Sequence, residues 1–193
     1  MKLVFATNNK NKIKEIESAL NGKIKILSLK DIGFSGDIPE DFETLEENAF
    51  QKADYIASRF NLNCFADDTG LEIEALNGRP GVYSARYAGS TANADDNMNK
   101  VLEELGSETN RRAKFRTVIS LLFNGKQYSF EGAVEGEILY EKTGSDGFGY
   151  DPIFRPAGHD DSFAEMTLAQ KNLISHRGLA VQKLIWFLEN SEV

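Results

Sequence analysis

The stretch KLVFATNNKNKIKEIESALNGKIKILSL, residues 2–29, decides the fold class. KLVFAT (2–7) has the apolar run of a buried strand, and NKIKEIESAL (11–20) sets Ile13, Ile16 and Leu20 on one helical face. KIKILSL (23–29) alternates apolar and polar residues and reads as a second strand. Strand, helix and strand in succession predict an α/β fold. Residues 30–43, rich in Gly, Asp and Pro, follow as a loop.

Thr44 opens the next helix. Its Thr-Leu-Glu-Glu run is a capping box in which Glu47 reaches back to the Thr44 backbone. Leu45, Ala49, Ala53, Ile56 and Phe60 form the apolar face, and at about 100° per residue Lys52 falls inside that arc, with Asn48 at its edge. A lysine pointing inward needs an anion. Next, NLNCFADDTGLEIEAL (61–76) reads as a strand ending at Asp67, then an alternating segment, then the turn NGRPG. A helix is expected over 93–105, two long strands over 112–124 and 126–139 joined at NGK, a short IF strand and a loop after TGSDGFGYDP, and a last helix over about 176–189.

The chain of 193 residues suits one domain, 1–193, with a real core. No apolar run is long enough to cross a bilayer, so no membrane association is expected. A single cysteine, Cys64, rules out an internal disulfide and a cysteine-rich zinc site, and its apolar strand makes it a core residue. No signal-peptide pattern opens the chain, and a cytoplasmic protein is expected. The net charge of −8, from 22 basic and 30 acidic residues, disfavours nucleic acid as a partner. A small phosphate ligand remains possible wherever Lys and Arg converge.

Four clusters could carry chemistry. ATNNKNK (6–12) runs from a strand through a polar turn into a helix, which suits either a phosphate or merely a capped helix with solvated lysines. It lacks the glycines of a Walker A loop or a dinucleotide fingerprint. Glu40, Glu43, Glu46 and Glu47 with Asp67 and Asp68 supply hard oxygen ligands of the kind Mg²⁺ takes beside a substrate phosphate, or a solvated acidic face. GSDGFGYDPIF (144–154) offers Phe148 and Tyr150 between glycines, for stacking on a planar ligand or for packing on the core. In AQKNLISHRG (169–178), Ser175 can cap the last helix, placing His176 and Arg177 in its first turn, where an anion would offset their conflict with the helix dipole. His159 reads as surface loop, and SARYAG (84–89) puts Arg86 in a loop suited to a ligand or a subunit contact.

TNNKNK, ENAFQKA, ADDTGLEIEALNGRPGVYSARYAG, GFGYDPIF and KNLISHRG, in this order, resemble the inosine/xanthosine triphosphate pyrophosphatase family over nearly the whole chain. The resemblance implies an elongated mixed β-sheet flanked by helices, with two lobes around a central cleft, and a homodimer. It implies Mg²⁺-dependent hydrolysis of ITP, dITP and XTP to the nucleoside monophosphate and pyrophosphate. Carried over by position, Thr7, Asn8, Asn9, Lys10, Asn11 and Lys12 would hold the triphosphate. Asp68 would be general base and metal ligand, with Glu40 the second metal carboxylate. Lys52 would face phosphate and Thr69 the substrate. Phe148 would stack on the purine, with Gly149, Tyr150 and Asp151 completing the wall. Lys171, His176 and Arg177 would make the remaining substrate contacts, His176 at the 6-oxo group. Asn8 and Asn11 stand where many relatives carry glycine or another small residue. A related pyrophosphatase group acting on modified pyrimidines or methylated nucleotides opens with Ser and paired Arg instead, and a non-hydrolysing nucleotide sensor would not need Asp68 beside Lys12 and Lys52. If strand pairing ran unbroken past Thr69-Gly70, Asp67 would share the core side of Phe65, Leu71, Ile73 and Ala75, leaving Asp68 toward the cleft.

Overall fold

The computed structural model describes residues 2–20, 22, 24–91 and 93–190. Strand β1 (Lys2–Phe5), helix α1 (Lys10–Leu20) and strand β2 (Lys25–Leu27) form the expected opening unit. β1 runs parallel to β2 on one side and to β3 (Cys64–Ile73) on the other. The expected strand 23–29 is thus shorter at its end, and Lys23 lies outside the described residues. Asn9 starts α1, its side-chain oxygen accepting from the Asn11 and Lys12 amides at 2.9 and 3.2 Å.

β3 corrects the expected strand end at Asp67. It continues unbroken to Ile73, paired antiparallel to β5 (Arg112–Phe123) from Cys64 opposite Leu122 to Ile73 opposite Ala113. β5 supplies backbone partners through Thr69-Gly70, where a short strand would have stopped. Gly70 is required there, because the Gly81 backbone of β4 (Pro80–Gly81) comes within 2.8 Å of where a Cβ would sit. β1 reaches only as far as Phe5 opposite Phe65. Asp67 and Asp68 therefore lie just past the carboxyl end of a parallel neighbour, where α/β sheets gather ligands.

β5 turns into β6 (Lys126–Ile138) through Asn124-Gly125, both at positive φ as the two-residue hairpin demands. β7 (Phe154–Pro156) pairs with β6, while Ile153 belongs to the preceding single turn, one residue off the expected IF strand. Among the described residues the mixed sheet has the order β2-β1-β3-β5-β6-β7, with β4 beside β3.

Helices cover both faces. α1 and α5 (His176–Asn190) bury Phe5, Phe65, Ile119 and Leu121, with Phe5 stacked on Phe65 at 4.5 Å. α2 (Leu45–Phe60) covers Val4, Cys64, Ala66 and Val118 on the other face. Burial pushes the Cys64 thiol up to about 12, so it is an inert core group. At the far end, α3 (Ala94–Leu105) closes a separate core of Leu71, Ile73, Phe115, Phe154 and Phe163. Thr44 caps α2 by accepting from the Glu47 amide, but the Glu47 carboxylate accepts from the Thr44 hydroxyl instead of its backbone amide. A short helix α4 (Leu168–Ile174), with a complete Thr167–Gln170 capping box, occupies what was expected to be loop. No helix among the described residues is long and apolar enough to cross a membrane.

α5 crosses β6 at Gly132, where a Cβ would meet the His176 carbonyl at 2.0 Å and the Ala180 amide at 2.6 Å. Gly132→Ala should destabilise the fold by about 1–3 kcal/mol through overpacking, lowering the melting temperature by a few to about ten degrees. An unchanged thermal melt would contradict this close crossing.

Candidate active site

Alternation along β3 sends Asp67 and Asp68 to opposite faces, and each meets a lysine. Asp67, toward α1 and α5, accepts from Lys12 Nζ at 3.0 Å and from Arg177 Nε at 3.1 Å. Its side chain is fully buried. Burial alone would raise its pKa, but the charges of Lys12 and Arg177 outweigh it and hold the carboxyl well below the usual range. Asp68, toward α2, accepts from Lys52 Nζ at 2.9 Å and is 10 % exposed, lining the cavity that Asp67 does not reach. There burial outweighs Lys52 and Lys12, Glu40 adds repulsion, and the Asp68 carboxyl is raised. The two neighbours thus differ in both access and basicity.

Lys52 is buried on α2, as its place in the apolar arc required, and also bonds Glu40. Burial opposes its charge, but Asp68, Glu40 and Asp67 together raise its pKa. Glu40 sits in the loop before α2. Burial there is offset by the charge and hydrogen bond of Lys52, then by Lys12 and Arg86, so its carboxyl is lowered. Asn48, at the edge of the arc, holds this loop by bonding both the Phe42 amide and carbonyl.

On the other side, α5 presents His176 and Arg177 in its first turn, with Ser175 Oγ accepting from the Gly178 amide at 3.1 Å as the expected cap. Arg177 bonds Asp67, Glu15 and Thr69, and Thr69 meets Thr117 at 2.7 Å. Lys171 on α4 bonds Glu15 at 2.6 Å and Asp151 at 2.5 Å. Burial raises the Asp151 carboxyl despite Lys171. Asp151 also accepts from the Phe148 amide at 2.7 Å and so braces the turn that carries the aromatic ring. That ring lies 4.9 Å from Lys171 Nζ and 5.5 Å from the Arg177 guanidinium carbon. His176 is buried in the cavity wall, stacked on Phe115 at 4.6 Å. Burial first, then Arg177 and Lys171, push its pKa well below the ordinary value, so the imidazole is neutral, and its buried Nδ1 has no partner.

These groups surround a cavity of about 590 Å³, within the range of small-molecule sites. The turn after β1 contributes Thr7, Asn8, Asn9, Asn11 and Lys12 to its wall, with Thr69, Phe148, Gly149, Tyr150, Asp151, Lys171, His176 and Arg177 opposite. Lys10 is the exception among the expected contacts. It is exposed at the start of α1 and outside the cavity wall. Asn8 spends its amide on the Gly36 carbonyl at 2.9 Å, tying the first turn to the loop of Glu40. His159 is exposed, as expected.

Glu15 was not anticipated. At about 100° per residue it falls opposite the Ile13-Ile16-Leu20 face of α1, and it is buried because α4 and α5 pack there. Its only trace in the sequence is indirect, since Lys171 and Arg177 needed an anion. Arg177 and Lys171 hold its carboxyl low against the effect of burial. Ser84 and Asn97 also shape the wall, through bonds to backbone that composition does not reveal.

For a metal ion, the available donors are Asp68 and Glu40. Among the described residues no group of three or more His, Cys, Asp or Glu converges. Two carboxylates facing an open cavity fit Mg²⁺, which takes one or two from the protein and completes its shell with phosphate and water. They do not fit a closed structural site.

A curled mixed sheet that places paired acids and bases around one deep cavity defines an α/β protein built to hold a small charged ligand. The chain belongs to the Ham1 family, whose model matches residues 3–187. It is 60% identical over 185 residues to a dITP/XTP pyrophosphatase of Flavobacterium johnsoniae, covering 96% of each chain. A dITP/XTP pyrophosphatase of Porphyromonas gingivalis is 55% identical over 188 residues, with 97% of each covered. The structure of the Staphylococcus aureus Ham1 protein superposes with a TM-score of 0.89 at 40% identity over the whole of both chains. A Coxiella burnetii HAM1 structure does so at 0.90 and 39% identity, over 99% of this chain and 100% of that one.

Asp67 ionisation supports the fold fully above the ordinary carboxylate pKa of about 4, and the support is lost as pH falls toward its depressed folded value. Asp67→Asn leaves Lys12 and Arg177 without their shared anion and should cost about 3–5 kcal/mol at pH 7. In denaturant titrations the gap to wild type should be widest at pH 7 and shrink below pH ~4. A gap of the same size at pH 7 and pH 3 would contradict the assignment.

Proposed function

We propose that this protein hydrolyses non-standard purine nucleoside triphosphates (ITP, dITP and XTP) to the monophosphate and pyrophosphate. One observation carries the reading: of two adjacent aspartates, the one facing the cavity is the one whose carboxyl burial raises, and a buried lysine holds it in place. The names of its relatives, dITP/XTP pyrophosphatases at 60 and 55% identity, support dITP and XTP among these substrates.

In this reading Asp68 is the general base. It orients a water, takes its proton as the oxygen attacks phosphorus, and the P–O bond to the departing pyrophosphate breaks. Lys52 fixes the Asp68 carboxylate, and Lys12, Lys171 and Arg177 supply positive charge to the triphosphate, since phosphoryl transfer depends on charge neutralisation more than on covalent help. Thr7, Asn9 and Asn11 line the first turn as its polar contacts. Mg²⁺, held by Asp68 and Glu40, would neutralise phosphate charge and polarise the phosphoryl oxygens. Phe148 offers its ring to the base. His176, kept neutral, can donate one N–H to the carbonyl at C6 of hypoxanthine or xanthine. Adenine presents a donor there, and two facing donors would leave buried groups unpaired. The same reading includes a homodimer acting in the cytoplasm on the free nucleotide pool.

Asp68→Asn keeps the shape and the hydrogen bond to Lys52 but removes the base. Turnover of ITP should fall by at least about a hundredfold, while nucleotide affinity, read by calorimetry, stays within a few-fold. Near-normal turnover would remove Asp68 from the mechanism.

A further inference from the structure

Arg86 lies outside the cavity wall itself but approaches Glu40, which lines it, and the reading above does not use it. It sits on the short turn Ser84–Arg86, and that turn is built with unusual care for an exposed loop. Buried Ser84 donates to the Gly81 carbonyl at 2.6 Å and accepts from the Leu71 amide of β3 at 2.9 Å. The Tyr150 hydroxyl, from the opposite wall, donates to the Ser84 carbonyl at 2.8 Å. Asn97 of α3 bridges the Ala85 carbonyl and the Ala88 amide. The product of this construction is a guanidinium, packed 5.4 Å over the Tyr83 ring and directed at Glu40 of the cavity wall.

The contact at the far end is loose. Arg86 Nη1 stands 3.6 Å from Glu40 Oε2, outside the hydrogen-bonding range of about 2.7–3.2 Å. The other Glu40 oxygen is bonded closely by Lys52. About a third of the Arg86 side chain is exposed. By contrast, Lys52, Lys171 and Arg177 each serve two carboxylates, and Lys12 is closed on Asp67.

Charge balance gives this fifth cation its purpose. The ion pairs centred on Lys12, Lys52, Lys171 and Arg177 engage five carboxylates, so the interior formally carries one more negative charge than positive. A triphosphate brings several further negative charges into that field. Each of the four inner cations already shares its charge with at least one carboxylate, so an additional guanidinium beside Glu40 adds the charge a polyphosphate tail would require. Its planar fork presents parallel N–H donors in a fixed geometry that matches two phosphate oxygens, where a lysine offers a point charge.

We propose that Arg86 is a further substrate-binding residue, which leaves Glu40 for the β- and γ-phosphate oxygens of the bound triphosphate. This rests on the triphosphate reading of the site. It makes Arg86 a sensor of polyphosphate length, because a monophosphate bound by its base has no tail to reach the turn at residues 84–86.

The test is calorimetric titration of the full chain in EDTA, where binding is read without turnover. Wild type, Arg86→Lys, Arg86→Gln and, in case that variant fails to fold, Arg86→Ala are titrated with ITP, inorganic pyrophosphate and IMP. Removing the guanidinium should weaken ITP and pyrophosphate by about ten- to a hundredfold, leave IMP within about twofold, and be partly restored by lysine. Equal losses for IMP and ITP, or undiminished pyrophosphate binding, would overturn the proposal. A wild-type protein that cleaves none of ITP, dITP and XTP would defeat the functional reading separately, and the pyrophosphate titration would still decide Arg86.

Discussion

The structure depends on one carboxylate that never meets solvent. Asp67 joins β3 to α1 through Lys12 and to α5 through Arg177, and Arg177 joins both to Glu15 and thence to Lys171 on α4. Buried ions are costly unless each is paired and hydrogen-bonded. Here every member satisfies its neighbours, and the network fixes the mutual positions of three helices and the central strand. The proposed function needs that rigidity, because the cations lining the cavity must stay aimed when a triphosphate arrives.

In the proposed mechanism the same strand also supplies the chemistry, by simple alternation. One residue further on, Asp68 faces the other layer and finds Lys52, but with access to the cavity and with Glu40 close enough to oppose its charge. Two identical side chains thus acquire different properties from a period of two and from what each face packs against. The loops then close the cavity from opposite sides. Asn8 ties the first turn to the Glu40 loop, and Tyr150 ties the aromatic turn to the turn bearing Arg86. A ligand held between them touches elements from nearly every part of the chain.

Much of this was legible in the residues. The βαβ opening, the inward Lys52, the Asn-Gly hairpin and the Ser175 cap all follow from local patterns that the structure keeps. The failures have physical causes. Thr69-Gly70 looks like a strand end, yet β5 pairs straight through it and β4 needs the glycine for close approach. α4 was hidden because its length is seven residues, too short for helical periodicity to emerge. Glu15 was invisible because it is buried by helices distant in sequence, and Lys10 joined the expected contacts only through its place in a motif. Site residues were readable where a local pattern demanded a partner, and unreadable where only tertiary packing did.

The central claim is most directly tested by incubating the protein with Mg²⁺ and, in turn, ITP, dITP, XTP, ATP and GTP, and assaying pyrophosphate and orthophosphate separately. The account predicts pyrophosphate in equal amount to monophosphate from ITP, dITP and XTP, with ATP turned over far more slowly. Release of orthophosphate as the first product, or ATP cleaved as readily as ITP, would contradict it.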